Sequence, residues 1–308
     1  MLRPPSSTPV ITRNLEERLA PRRTAEALGY NGGPGGNPVL VHCGWALKPL
    51  LRFALKMGGL YGRGMRNALN LQVRQHRLSF PNLPSHLEGF RLLQISDLHI
   101  DGVDGLAEVL GQRLSGLSVD LCVLTGDYRF EVKGSCDGVY PRMRTVLGAV
   151  RSRLGVMGIL GNHDCADMAL ELERLGVRML INENLEVERG LWVSGADEAD
   201  NGEAFRESLQ SVPSDAFHLM LVHTPQLYAD ADAAGAALYL CGHTHAGQVC
   251  LPGGRPLILN AHCPREYASG LWQHGKTVGF TSPGAGSCML PIRYNCLPEI
   301  SIFELTRA

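Results

Sequence analysis

The chain has few of the features that mark secreted or membrane-spanning proteins. Its nine cysteines are scattered and include no C-x-x-C pair, which favours a reducing compartment over a disulfide framework. No basic segment followed by an apolar run and a cleavage site opens the chain, so we expect no signal peptide. The apolar stretch at residues 39–64 is interrupted by charged side chains and by Pro49, which argues against a spanning helix. These absences predict a cytoplasmic protein.

Acidic residues are missing from one long region. Between residues 38 and 80 the chain has seven Lys and Arg side chains and no Asp or Glu, which indicates either an anionic partner, lipid or nucleic acid, or a solvated face. On a helix, Lys48, Arg52 and Lys56 form one stripe among apolar side chains. Such a helix can lie in a membrane interface, or it can dock on its own domain. We predict that residues 38–66 hold the protein peripherally on the anionic inner face of the cytoplasmic membrane.

Composition divides the chain into three segments. Residues 1–37 combine charges with "STP" and "NGGPGGNP", a composition that buries too little apolar surface to fold by itself, so we predict a flexible extension. Residues 38–72 form the basic amphipathic helical segment. In residues 73–308 short apolar runs alternate with helix-like segments, which predicts one α/β domain with a parallel or mixed sheet.

Five apolar runs of strand type each end in a polar cluster. The runs are residues 91–96, 119–125, 155–160, 217–222 and 237–241. In open α/β sheets functional side chains collect beyond the carboxyl ends of the strands, so the five clusters can converge on one site. A single histidine after a strand is more often a packing residue and a Gly-Asp pair is usually a turn, so this expectation rests on the combination. The polar side chains are Asp97, His99, Asp127, Asn162, His163, Asp164, His223, His243 and His245.

The chemistry of these side chains indicates a metal centre. Imidazole, carboxylate and amide oxygen together suit a divalent first-row metal, and the donors are too numerous for one ion. Alternate side chains of an extended loop point to opposite sides, so His243 and His245 could contact two ions about 3.5–4 Å apart. Gly242, Ala246 and Gly247 would let that loop bend close to the ions.

The motifs occur in an informative order. They are D-x-H at residues 97–99, G-D at 126–127, G-N-H-D at 161–164, a lone His223 and G-H-x-H at 242–245. In this order and chemistry they resemble the calcineurin-like metallophosphoesterase superfamily. The approach to the first motif, the sequence "GHTHAGQ" and the C-terminal "TSPGAGSC" segment are similar to its membrane-associated prokaryotic branch, a resemblance that extends from about residue 78 to residue 306. That branch includes phosphodiesterases and enzymes resembling UDP-2,3-diacylglucosamine pyrophosphatases of lipid A synthesis.

The resemblance implies a fold and a set of roles. The fold would be a sandwich of two mixed β-sheets flanked by helices, preceded by the N-terminal amphipathic helical extension. One metal ion would be held by Asp97, His99, Asp127 and His245. The other would be held by Asp127, Asn162, His223 and His243, so that Asp127 bridges the two. His163 would protonate the leaving oxygen, and Asp164 would orient its ring.

The implied reaction is hydrolysis of a phosphodiester or pyrophosphate bond by attack of a metal-bridged hydroxide. The cofactors would be two divalent ions, with Mn²⁺ expected first and Fe, Zn or Ni as alternatives. Together with the basic segment, the resemblance predicts a lipid-linked nucleotide substrate such as UDP-2,3-diacylglucosamine, cleaved at the membrane surface. The alternative is a broad-specificity phosphodiesterase for soluble nucleotides or other phosphodiesters. No specific nucleic-acid partner is predicted.

Three features leave questions open at the level of sequence. The branch usually has glycine where this chain has Ala246, which matters only if the backbone there needs a positive φ. Members commonly begin with a spanning helix, which this chain replaces with its basic amphipathic segment. Arg293 could contact a phosphate or could form a structural ion pair.

Overall fold

The structure is built from two six-stranded β-sheets with helices beside them. The computed structural model describes residues 14–28, 38–197, 206, 208–259 and 261–308. The helices are α1 Leu15–Ala27, α2 Pro38–Met57, α3 Tyr61–Ala68, α4 Leu106–Leu114, α5 Val139–Ala149, α6 Ala166–Arg174 and α7 Tyr228–Ala233. The strands are β1 Gln72–Phe80, β2 Phe90–Ile95, β3 Ser118–Val119, β4 Leu121–Thr125, β5 Arg151–Ser152, β6 Val156–Ile159, β7 Val177–Met179, β8 Glu183–Glu188, β9 Leu191–Gly195, β10 Phe217–Leu221, β11 Leu238–Cys241, β12 Cys250–Leu251, β13 Arg255–Pro256, β14 Gly270–His274, β15 Thr277–Thr281 and β16 Glu299–Arg307.

Both large sheets are mixed. The first has the strand order β1-β16-β2-β4-β6-β7, and the second has the order β14-β15-β11-β10-β9-β8. Strands β2, β4, β6 and β7 are parallel, whereas β16 runs antiparallel to β2. In the second sheet β9, β10, β11 and β15 are parallel, with antiparallel strands at both edges. This is the predicted sandwich, and the five predicted strands are present as β2, β4, β6, β10 and β11.

An apolar core joins the two sheets. Leu92 and Val123 of the first sheet pack in one cluster with Leu219 and Leu240 of the second. The next residue of β2, Leu93, belongs to a different cluster that includes the helices α4, α5 and α6, because successive strand side chains point to opposite faces. The parallel strands are therefore apolar on both faces, which explains their nearly continuous hydrophobic sequences.

Helix α1 corrects the expectation of a flexible extension over residues 1–37. Residues 14–28 are ordered as a helix with its N-cap, and the Asn14 side chain accepts a hydrogen bond of 3.0 Å from the backbone N–H of Glu17. Leu19 of this helix is fully buried. Residues 1–13 and 29–37 lie outside the described residues.

Two arginines fix α1 against the rest of the protein. Arg18 forms an ion pair with Glu183, and Arg22 forms one with Asp197. All four side chains are nearly inaccessible to solvent. A buried charge is tolerated only when it is paired and hydrogen-bonded, and composition alone cannot reveal such long-range partners.

The basic segment forms helices α2 and α3, and its apolar side faces outward. Leu50, Phe53 and Met57 of α2 are 63%, 62% and 73% exposed. In the basic stripe, Lys48 Nζ lies 2.9 Å from a carboxylate oxygen of Glu131, whereas Arg52 and Lys56 are exposed. Within the described ranges, none of the helices has the combination of length and apolar content that crossing a membrane requires.

Candidate metal centre

The predicted site residues lie in the loops that follow β2, β4, β6, β10 and β11. Strands β2, β4 and β6 are parallel in the first sheet, and β10 and β11 are parallel in the second. Their carboxyl ends therefore lie at one edge of each sheet. The structure brings all seven predicted metal ligands to this edge, where they form groups of donor atoms connected through one carboxylate. The two sheets therefore build one site between them.

The first group consists of Asp97, His99 and His245. The Nε2 atom of His245 lies 3.5 Å from Oδ1 of Asp97 and 3.1 Å from Nε2 of His99. All three side chains are buried, and their donor atoms lie within 4.8 Å of one another. Donors this close together have the spacing of ligands around a single ion.

The second group contains His223, His243 and Asn162. The Asn162 Oδ1 atom lies 2.7 Å from Nδ1 of His243 and 3.1 Å from Nε2 of His223. The two histidine nitrogens are 3.3 Å apart. An amide oxygen and two imidazole nitrogens therefore converge on one point.

Asp127 connects the two groups. Its Oδ2 atom lies 3.5 Å from Nε2 of His99 in the first group and 3.3 Å from Nε2 of His223 in the second. A carboxylate between two groups of donors can bind both ions and fix their separation. The bridging role of Asp127 stays a prediction, and these distances support it.

The backbone of the site is unusual. Five of the seven predicted ligands have positive φ angles, a conformation that is costly for residues other than glycine. They are Asp97 (50°), His99 (37°), Asp127 (58°), His243 (71°) and His245 (51°). Ala246 also has a positive φ, of 49°, so the glycine usual at this position would relieve strain. Strained backbone of this kind concentrates at functional sites.

Close approach of the loops depends on two glycines. A Cβ atom on Gly161 would lie 2.3 Å from Oδ1 of Asp127, and one on Gly242 would lie 2.0 Å from Oδ2 of Asp97. Real Cβ atoms do not come this close to other heavy atoms. The glycines of the G-N-H-D and G-H-x-H motifs therefore make room for the carboxylates of the two groups.

Hydrogen bonds fix which ring nitrogens face the centre. The Nδ1 atom of His99 lies 2.7 Å from the carbonyl oxygen of Arg129, and Nδ1 of His223 lies 2.8 Å from that of Thr125. A carbonyl only accepts, so each Nδ1 carries the proton and each Nε2 presents its lone pair to the other donors. Burial, together with the nearby His163, lowers the pKa of His99 to about 3, while burial raises the pKa of Asp97 to about 6. The neutral imidazole is the form that binds a metal.

His163 lies beside the first group. Its ring centroid is 4.6 Å from that of His99, and a ring nitrogen lies within 4.8 Å of the donor atoms of His99 and Asp127. The His163 Nδ1 atom is 2.7 Å from the carbonyl oxygen of Phe130, and its backbone N–H donates to Oδ1 of Asp127 at 2.8 Å. The Phe130 carbonyl thus orients the ring.

The role predicted for Asp164 is corrected. Its carboxylate accepts hydrogen bonds of 2.8 Å from the backbone N–H groups of Asp127, Tyr128 and Gly161, whereas the ring of His163 is held by Phe130. The carboxylate therefore braces the loops that carry Asp127 and Asn162. Adjacent side chains in a tight loop point in different directions. Asp164 follows His163 in the sequence, but its carboxylate is directed at backbone N–H groups and not at the His163 ring.

Arg293 also differs from the expectation of a phosphate contact or an ion pair. It is fully buried, and its guanidinium donates to the carbonyl oxygens of Pro283 and Gly286 while lying 3.2 Å from Nδ1 of His245. It therefore supports the loop behind His245 and is not available to a substrate.

Two further residues support the site through contacts that the sequence alone does not reveal. Gln248, the last residue of "GHTHAGQ", binds the backbone of Cys288 and Leu290 through its amide. Asp101, which follows the first motif, accepts from the backbone N–H of Phe130 at 2.7 Å. Both stand in motifs that the sequence displays, but the contacts they make are long-range.

The donor set fits two divalent ions. Two groups of buried nitrogen and oxygen atoms, linked by one carboxylate, offer three or four ligands to each ion, and such mixed donors suit Mn, Fe, Zn or Ni. The residues thus form a candidate binuclear centre.

Comparison with known proteins identifies relatives of the chain. The profile of the calcineurin-like phosphoesterase family matches residues 90–247. The uncharacterized metallophosphoesterase YkuE of Bacillus subtilis is 28% identical over 269 residues, which cover 82% of this chain and 92% of YkuE. Phosphodiesterase YaeI of Escherichia coli is 26% identical, with 76% and 88% of the two chains covered. The UDP-2,3-diacylglucosamine pyrophosphatase LpxG of Chlamydia trachomatis is 34% identical over 98 residues, 31% of this chain and 29% of LpxG.

Proposed function

This chain belongs to the calcineurin-like phosphoesterase family and is a metal-dependent phosphoester hydrolase, and on that premise we propose that it cleaves a phosphodiester or pyrophosphate bond of a lipid-linked nucleotide at a membrane surface. The observation that carries the chemistry is the position of Asp127 between two groups of donors. UDP-2,3-diacylglucosamine is the substrate proposed first.

The ligand roles are part of this proposal. Asp97, His99, Asp127 and His245 would hold one ion, and Asp127, Asn162, His223 and His243 would hold the other. When bound, the two ions would supply Lewis-acid activation of water and neutralise negative charge on the phosphoryl group. Mn²⁺ is the metal proposed first.

His163 would act as the general acid. Its Nδ1 proton is committed to the carbonyl oxygen of Phe130, so the other ring nitrogen is the one that can deliver a proton to the leaving oxygen. The backbone N–H of His163 also holds Oδ1 of Asp127. His163 would therefore donate the proton through its ring and hold the bridging carboxylate in place through its backbone N–H.

Two observations support a lipid-linked substrate. Helix α2 presents Leu50, Phe53 and Met57 to the outside next to an acid-free basic region, a combination that suits an anionic membrane interface. The similarity to LpxG supports the nucleotide diphosphate, although it spans only 98 residues. We place the protein peripherally on the inner face of the cytoplasmic membrane.

A soluble phosphodiester is the second candidate substrate. It is favoured by the similarity to phosphodiesterase YaeI, which extends over 76% of this chain and 88% of that protein. The same centre would serve either reaction, and the basic region would then bind a soluble anionic substrate.

One comparison of substrates tests the proposal. Chelator-stripped protein is supplied with Mn²⁺ and assayed for UMP release from UDP-2,3-diacylglucosamine in mixed micelles, beside hydrolysis of bis-p-nitrophenyl phosphate. We expect metal-dependent UMP release with a much higher kcat/KM than that for the model diester. Activity on the model diester alone would favour the soluble phosphodiesterase, and no metal-dependent activity on either would contradict the binuclear mechanism.

A further inference from the structure

The basic stripe of α2 is directed at two aromatic rings, and one of them, Phe130, lies near the metal centre. Lys48 Nζ lies 4.8 Å from the centroid of the Phe130 ring. Further along the helix, Arg52 and Lys56 lie 5.4 Å and 5.6 Å from the ring of Tyr61. A cation over an aromatic face is attracted electrostatically by the ring.

These cations line a groove on the helix. This groove, open to solvent, has a volume of about 340 Å³ and is lined by Lys48, Arg52 and Lys56 together with Pro49 and Phe53. The walls thus combine three positive charges with the aliphatic stems of the same side chains and two apolar residues. A ligand that fits such walls has a negatively charged group attached to an apolar body.

The charge balance in the groove favours an anion. Lys48 is paired with Glu131, but across the described parts of the chain no carboxylate forms an ion pair with Arg52 or Lys56, and residues 38–80 have no acidic side chain. Cationic groups already ordered by aromatic contacts form charge-assisted hydrogen bonds to phosphate.

The groove is adjacent to the chemistry. Phe130, the residue beneath Lys48, has its ring centroid 6.2 Å from that of His99, and its carbonyl orients His163. The Phe130 side chain therefore lies between Lys48, the first cation of the groove, and His99, a predicted metal ligand.

We propose that the groove of Lys48, Arg52 and Lys56 binds the phosphate of an amphiphile while the scissile phosphoryl group occupies the metal centre. This inference rests on the proposed function and adds the residues that would select a substrate with a second anionic group. The phosphate has two sources of identical chemistry, the substrate itself or a neighbouring anionic lipid.

The test compares two double variants that remove equal charge. Arg52→Gln/Lys56→Gln alters the groove, whereas Arg74→Gln/Arg77→Gln removes two exposed arginines of β1. The full chain is assayed with UDP-2,3-diacylglucosamine, which has a second phosphate, and with bis-p-nitrophenyl phosphate, which has one. Binding to phosphatidylglycerol vesicles is measured in parallel, and Arg52→Lys/Lys56→Arg tests whether charge alone restores function.

We expect the groove variant to raise KM for the two-phosphate substrate about tenfold with kcat unchanged, and to leave the model diester unaffected. That result assigns the groove to the substrate.

Loss of vesicle binding with unchanged KM assigns it to lipid head groups. Equal behaviour of the two double variants in both assays would overturn the proposal. Inactivity of the unmodified protein on the two-phosphate substrate would contradict only the proposed substrate, because the vesicle arm still tests the groove.

Discussion

Asp127 is the residue on which the binuclear arrangement depends. Its Oδ2 atom contacts one histidine of each donor group, and its Oδ1 accepts from the backbone N–H of His163. The carboxylate thus serves both groups at once while the adjacent loop holds it in position. Loss of its charge should affect both ions, which distinguishes it from the other ligands.

We predict that Asp127→Asn reduces bound metal from two ions to at most one and lowers kcat by about a thousandfold or more, because the bridge that neutralises both cations is lost. Metal content after gel filtration and single-turnover rates measure these effects. Asp167→Asn is the matched control, since that carboxylate is 78% exposed on α6. Two retained ions in Asp127→Asn would contradict the bridging role.

His163→Gln tests the separation of proton transfer from metal binding. Glutamine can keep a hydrogen bond to Phe130 but cannot donate the same proton, so both ions should stay bound while kcat falls by about 10²–10⁴-fold. The loss should be larger for substrates with poor leaving groups. A plot of rate against leaving-group pKa for both proteins provides the measurement. A variant that lacks metal would identify His163 as structural.

Many of the site residues could be predicted because their signals are local. Each motif follows a short apolar strand, so topology places its side chains at a common edge. The supporting contacts were beyond prediction because they join distant segments. Asp164 binds the backbone of residues 127 and 128, and Arg293 supports His245 from 48 positions away.

At the scale of elements, composition gives the wrong prediction for α1, which is a helix and not part of a flexible extension. The segment Asn14-Leu-Glu-Glu17 is a capping signal, with a cap residue followed three positions later by Glu. Pro21 and the glycine-rich sequence that follows favour the opposite prediction, an irregular segment. What orders the helix is tertiary, because Arg22 donates to the carbonyl oxygens of Gly161 and Asp164 and pairs with Asp197.

Arg22 therefore connects α1 to the loop that carries Asn162. We predict that Arg22→Met destabilises the protein by about 3 kcal/mol, since the buried Asp197 carboxylate loses its ion pair with Arg22, and weakens Mn²⁺ binding about tenfold through the displaced loop. Thermal unfolding and calorimetric Mn²⁺ titration well below Tm measure the two effects separately.

Arg23→Met is the control for that experiment. Arg23 is 43% exposed and pairs with exposed Glu16 and Asp167, so its loss should cost about 0.5 kcal/mol or less. Unchanged Mn²⁺ affinity in Arg22→Met would limit α1 to a purely structural role.

At the scale of the whole molecule, the α2 region combines exposed apolar side chains with positive charge. The outward side of α2 is apolar, and residues 38–80 carry seven basic side chains with no acidic one. A second copy of the chain would bring the same positive charge against this face. An anionic bilayer complements both the charge and the apolar side chains, which favours membrane contact over self-association.

The membrane proposal leads to a prediction about two exposed side chains that lie outside the groove. Leu50 and Met57 are 63% and 73% exposed, and burying each in lipid would contribute about 1.5–3 kcal/mol. Leu50→Glu/Met57→Glu should therefore weaken sedimentation with phosphatidylglycerol vesicles by more than about tenfold. Hydrolysis of bis-p-nitrophenyl phosphate in the absence of lipid should be unchanged, because both side chains are largely exposed to solvent. Leu271→Glu, on the edge strand β14 and 47% exposed, provides the control. Vesicle binding that survives in the α2 variant, or falls equally in Leu271→Glu, would remove α2 as the membrane-binding element.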